Sequence, residues 1–176
     1  MYSKSVFLFF ISALAIKIES RFEFTNFVCK SYDPQFGEFE YCYLKSINRS
    51  YKYISGRFKP KSLPISKLKV NVALWKRFNG YKPFMYNITF DVCLFLNNRK
   101  PNPVIKFIHD SHSNFSNLNH SCPLNHDIIL EKLPIDVVNH RFTNVLPFPE
   151  GDYLIRLYWL IAKNRTALAE IYGTLS

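Results

Sequence analysis

Glycine is scarce in this chain, five residues in 176. None falls in a Gly-x-Ser-x-Gly frame, which removes the strained elbow that presents a hydrolase serine, and no glycine-rich loop follows a strand to cradle a phosphate. Cysteine is held to four residues with no Cys-x-x-Cys spacing, so a structural zinc site has no support. No His-Glu-x-x-His occurs. Acidic residues are few, 13 against 23 lysines and arginines. Asp127, Glu131 and Asp136 read as solvated residues of a strand face or turn rather than as a general acid–base pair. No catalytic residue, no metal-ligand set and no cofactor is therefore expected, and the chain reads as non-enzymatic. Internal repeats, low-complexity tracts and linkers are absent as well.

Long apolar runs are missing after residue 20, so no transmembrane span is expected. The one apolar stretch before it is different. Lys4 supplies a positive n-region and Val6 to Ile16 an h-region. Eleven residues rise about 16 Å as a helix, about half a bilayer core. Residues 1–20 are therefore read as a signal peptide, with cleavage between Ala15 and Ser20, and residues 21–176 as a single secreted, soluble domain. The C-terminal residues 169–176 carry neither an apolar tail nor a retrieval signal.

Two features agree with an extracellular location. The cysteine count is even, and of the three connectivities we favour Cys29–Cys42 with Cys93–Cys122. The first pair flanks a turn at Asp33-Pro34-Gln35-Phe36-Gly37, and positions equidistant from a hairpin turn face each other. Five Asn-x-Ser/Thr sequons mark Asn48, Asn87, Asn114, Asn119 and Asn164 for glycosylation. Chance gives about 1.7 at this composition, so the excess adds weight to the leader and the paired cysteines. The formal net charge of +10 points, in that compartment, either to anionic lipid, sulfated glycan or an acidic receptor patch rather than to nucleic acid, or simply to a solvated sheet face whose cations serve solubility.

What the chain has in quantity is aromatic, 17 Phe and 11 Tyr, set on period-2 patterns. Strands are expected at 22–30, 38–48, 51–61, 67–76, 84–92, 126–133, 152–163 and 167–175. Leu68, Val70, Val72 and Leu74 share one face, as do Phe84, Tyr86, Ile88, Phe90 and Val92. Tyr153, Ile155, Leu157, Trp159 and Ile161 share a third. Asn79-Gly80 is a hairpin signal. Between Cys93 and Cys122 the period changes, and Asn102-Pro103 opens a single amphipathic helix carrying Val104, Ile105, Ile108, His112 and Phe115. Residues 136–151 read as irregular. The class is all-β, an antiparallel β-sandwich with one short helix. His109 and His112 lie three apart on that helix, with His120 and His126 close in sequence. They are read as structural or surface histidines rather than zinc ligands.

Six stretches taken together resemble a known group: Phe22-Glu23-Phe24-Thr25-Asn26, Glu38 to Lys45, Arg77 to Phe84, Asn119 to Pro123, Leu146 to Tyr153 and Ile171 to Leu175. The order of motifs is similar to that of a secreted insect family, expanded in flies and designated a domain of unknown function. That family is related to the CheB chemosensory proteins and, more distantly, to the ML lipid-recognition superfamily. The resemblance implies an immunoglobulin-like, ML-type sandwich that opens between its sheets to hold a lipid, with a role in chemosensation. It brings no catalytic residues. Superfamily members often staple the first strand to the last by a disulfide, and this chain has no cysteine after Cys122.

The expected function is binding of a lipid or hydrophobic small molecule, in a cavity lined by Leu74, Tyr86, Ile88, Phe90, Leu157 and Trp159. Ile105, Ile108 and Phe115 of the helix would form the wall or mouth. A different class competes with it: an extracellular interaction module with a filled core, meeting a receptor or acidic glycan through a basic face. An open interior favours the first, a plugged one the second.

Overall fold

A computed structural model describes residues 20–98, 102–145, 148–161 and 164–176. The expected signal peptide, apart from Ser20, lies outside the described residues. Eight strands form: β1 Phe22–Ser31, β2 Gly37–Ser46, β3 Lys52–Pro60, β4 Lys69–Phe78, β5 Gly80–Asp91, β6 Ile128–Pro134, β7 Gly151–Ile161 and β8 Asn164–Leu175. All pairings are antiparallel, and they build two sheets in the orders β1-β8-β7-β4-β5 and β2-β3-β6. The chain is an all-β sandwich.

The long strands follow their alternation. Val70, Val72 and Leu74 of β4 are buried, and the alternate residues Asn71 and Trp75 keep more exposure. β5 is an edge strand, which is why Pro83 is tolerated within it. Asn79 and Gly80 join β4 to β5, with Gly80 at φ 91°. The ladder slips between Ala73 and Trp75 where Met85 takes φ 55°, and Phe84 and Tyr86 on either side both reach the core.

Three expectations change. First, the segment between Cys93 and Cys122 holds two α-helices and a short turn rather than one helix. α1 is Val92–Asn98, α2 is Pro103–His112, and a 3₁₀ turn covers Ser113–Phe115. Asn102 caps α2 as expected, its side chain accepting from the Val104 amide at 2.9 Å. Second, residues 136–151 are not irregular throughout. α3 spans Ile135–His140 and continues as a wider turn over Arg141–Val145. Ile135, Val138 and Phe142 recur on one face and are buried, a spacing that the neighbouring prolines obscured. Third, both disulfides form, Cys29–Cys42 with Cα atoms 6.0 Å apart and Cys93–Cys122 at 5.3 Å, but the first is no hairpin rung. β1 pairs with β8 and β2 with β3, so Cys29–Cys42 ties one sheet to the other. The first and last strands are joined by an antiparallel ladder, from Phe22 opposite Leu175 to Ser31 opposite Ala167, and not by a disulfide.

The core divides into two apolar clusters. One gathers Phe22, Phe24, Ile54, Phe142 and Tyr153; the other gathers Phe58, Ile65, Leu68, Val70 and Leu124. Ile155 and Leu157 pack against both.

Candidate ligand-binding cavity

Where the two clusters meet, the interior is not filled. A cavity of about 290 Å³ lies between the sheets. Its floor is the inward face of the five-stranded sheet: Val70, Val72 and Leu74 of β4, Ile155, Leu157 and Trp159 of β7, Tyr86 and Phe90 of β5, and Ala169 and Ile171 of β8. The smaller sheet supplies Phe39, Gly56, Phe58, Ile128, Leu130 and Leu133. Ala169 is the smallest side chain of the floor, whereas Gly56 is closely covered by the Phe27 ring, 3.3 Å from where a Cβ would stand. Phe39, Phe58 and Trp159 close one end, with ring centroids 4.8–5.9 Å apart.

Helices make the remaining wall. Phe95 and Leu96 of α1, Val104, Ile105, Phe107 and Ile108 of α2, and Val138 and Phe142 at α3 all face the opening. No residue of α2 is fully buried. Its apolar face covers a hollow instead of packing into a core, which accounts for the surface these side chains retain.

Of the expected lining residues, Leu74, Tyr86, Phe90, Ile105, Ile108, Leu157 and Trp159 come together around this cavity. Ile88 and Phe115 are not among its lining. Ile88 sits half-buried on edge strand β5 opposite Val72, and Phe115 packs from the 3₁₀ turn against the first apolar cluster. Phe58, Phe142 and Phe39 line it without having been anticipated. Their strands and helix could be read, but which aromatic turns toward a hollow depends on sheet pairing that no local pattern records.

The polar lining is sparse and sits on one side: His109, Ser111, His112, Ser116 and Arg141. The Ile108 carbonyl accepts from Ser111 Oγ at 2.6 Å and from His112 Nδ1 at 2.7 Å. A carbonyl can only accept, so Nδ1 carries the His112 proton and Nε2 is the basic nitrogen. Burial among protein atoms pushes the His112 pKa below its ordinary value, opposed by the Ile108 bond and assisted by His109. The accessible surface His112 keeps is surface of the cavity it borders. His109 Nε2 approaches the Leu118 carbonyl at 3.4 Å. Ser116 Oγ accepts from the Leu118 amide at 3.2 Å.

His120 and His126 lie outside the cavity, their Nε2 atoms 2.6 Å apart. Among the described residues no three His, Cys, Asp or Glu side chains converge. All five sequon asparagines, Asn48, Asn87, Asn114, Asn119 and Asn164, are exposed. Asn48 and Asn87 each use Oδ1 as the acceptor in their own turn or strand contacts. Among the described residues no helix is long and apolar enough to cross a membrane.

Residues 70–155 match the family model described as "Protein of unknown function (DUF1091)". That segment runs from β4 through all three helices into β7, and so contains much of the cavity wall. No curated protein matches the chain.

Proposed function

We propose that the chain is a secreted, glycosylated, non-enzymatic carrier that holds one hydrophobic small molecule, such as a single-chain lipid, between its two sheets. The observation that carries the reading is the unfilled space of about 290 Å³ between faces that are almost wholly apolar. Ligand pockets commonly measure about 300–1,000 Å³, so this one suits a single aliphatic chain better than a two-chain lipid. At about 0.8 kcal/mol per buried methylene, fourteen methylenes give roughly 11 kcal/mol before the ordering costs of binding. The six motifs resemble a secreted insect family related to CheB and, more distantly, to ML proteins, and that resemblance supports the same reading and suggests a chemosensory setting. Two disulfides and exposed sequon asparagines support secretion.

The competing reading, a packed module with a basic docking face, has less behind it. On the smaller sheet Arg57 pairs with Glu40 and Asp127, Lys59 with Glu40, and Lys61 with Glu38. Those cations are largely matched within the protein.

Native mass spectrometry of protein secreted from a eukaryotic host, before and after solvent extraction, tests the proposal. A carrier is recovered with an added lipid mass that extraction removes and reloading with fatty acid, sterol or long-chain hydrocarbon restores. Ala169→Phe, which places a ring in the cavity, should fold and fail to reload. Repeated recovery of empty protein that takes up none of these molecules would overturn it.

A further inference from the structure

We infer that Arg141 anchors the head of the bound molecule, and that the ligand class is a single-chain carboxylate, a fatty acid or an acid of similar shape. This rests on the carrier reading above and adds to it the chemistry of one end of the ligand.

Arg141 follows α3 at the start of the Arg141–Val145 turn and reaches toward α2, its guanidinium 5.5 Å from the centre of the Phe107 ring. Both residues border the cavity and both are half-buried. They therefore stand where the apolar interior meets water, between α2 and the turn after α3. The other polar groups of the lining already have protein partners. Ser111 and His112 share the Ile108 carbonyl, His109 approaches the Leu118 carbonyl, and Ser116 takes the Leu118 amide. Arg141 differs. Among the described residues no carboxylate lies within ion-pair distance of it, although Arg57, Arg77 and Arg156 each have one.

A guanidinium presents five N–H donors in a planar fork and cannot shed its charge. The Phe107 face offers it only a cation–π contact, which satisfies none of those donors. A carboxylate matches the fork, and a hydroxyl or ester matches it poorly. An acyl chain extending from such a head would run inward past Ile105, Ile108 and Leu133 toward the closed aromatic end at Phe58 and Trp159. The layout of the cavity, a cation at the wet rim and hydrocarbon within, is that of an amphiphile with a negative head.

The experiment uses the extracted full-length protein and three ligands of one chain length: myristic acid, tetradecanol and methyl myristate, each titrated against a displaced fluorescent probe. Hydrogen bonds to a charged group set the expected scale. The acid should bind about ten- to a hundredfold more tightly than the alcohol or the ester. Arg141→Gln should remove that preference by weakening the acid alone, and Arg141→Lys should keep part of it. Unchanged affinity for the alcohol reports that the variant is folded with its cavity intact. Equal affinity for all three ligands in the unaltered protein, or a preference that survives Arg141→Gln, overturns the anchor and leaves the carrier reading standing. Binding of none of the three ends both.

Discussion

Ser55 has no accessible surface, yet it carries a hydroxyl into the smaller sheet. The β3–β6 ladder slips between Ile54 and Gly56, and Lys132 takes φ 50° beside the slip. Ser55 Oγ accepts the Lys132 amide at 2.8 Å, satisfying a donor that the bulge takes out of the ladder. Ser55→Ala should lower stability by about 1–3 kcal/mol in urea denaturation, the cost of a buried donor left without a partner. Gly173 is constrained by space rather than by φ. A Cβ there would sit 2.2 Å from the Phe22 ring and 2.9 Å from the Glu23 carbonyl. Gly173→Ala should therefore cost about 1–3 kcal/mol, with the loss of protection concentrated in β1 and β8. An alanine as stable as the wild type would show that the two strands stand farther apart. His112 adds a pH dependence. Because burial holds its folded pKa below the ordinary 6.5, the unfolded chain takes up this proton first as pH falls. The stability tied to neutral His112 is whole above pH about 6.5 and is lost as the pH falls through the folded value. The urea midpoint should drop between pH about 7.5 and 5, and His112→Gln should flatten the drop. A decline of the same size in the variant would assign it to other groups.

At the scale of elements, the disulfides do different work. Cys29–Cys42 joins β1 of one sheet to β2 of the other, and Cys93–Cys122 ties α1 to the segment leading into β6. Replacing the second pair by serine should cost about 2–5 kcal/mol. Hydrogen exchange should show α2 opening before α1, because α2 buries no residue fully, whereas α1 buries Val92, Cys93 and Leu96. What the sequence made legible follows the same division. The faces of β4, β5 and β7 could be read because the two-residue alternation of their apolar residues persists across the ladder slips between Ala73 and Trp75 and between Trp159 and Leu160, and the Asn102-Pro103 start of α2 because capping is local. Sheet membership could not. A hairpin turning at residues 33–37 predicts the Cys29–Cys42 pairing, whereas β1 reaches across the chain to β8, a contact about 150 residues away in sequence that leaves no local trace. α3 was hidden by Pro134, Pro147 and Pro149, which look like loop punctuation although Pro134 occupies the N-cap of that helix. The phase of Leu74, Leu157 and Trp159 could be anticipated from alternation. That Phe58 and Phe142 would border the same space depends on sheet pairing and helix placement.

For the whole molecule, everything turns on the separation of the sheets. Side chains that interdigitate fill a gap of about 10 Å, and here members of both clusters line a space that they leave open. The disulfide between the sheets and the helical wall both bear on that arrangement. A crystal structure of the extracted protein with a bromine-labelled fatty acid measures it directly. The expected result is continuous density for one chain between Leu157 of the larger sheet and Leu133 of the smaller, with the bromine marking its inner end near Phe58 and Trp159. The contrary result is an interior in which Phe58, Trp159 and Phe142 have closed over that space, with the label scattered on the surface or absent.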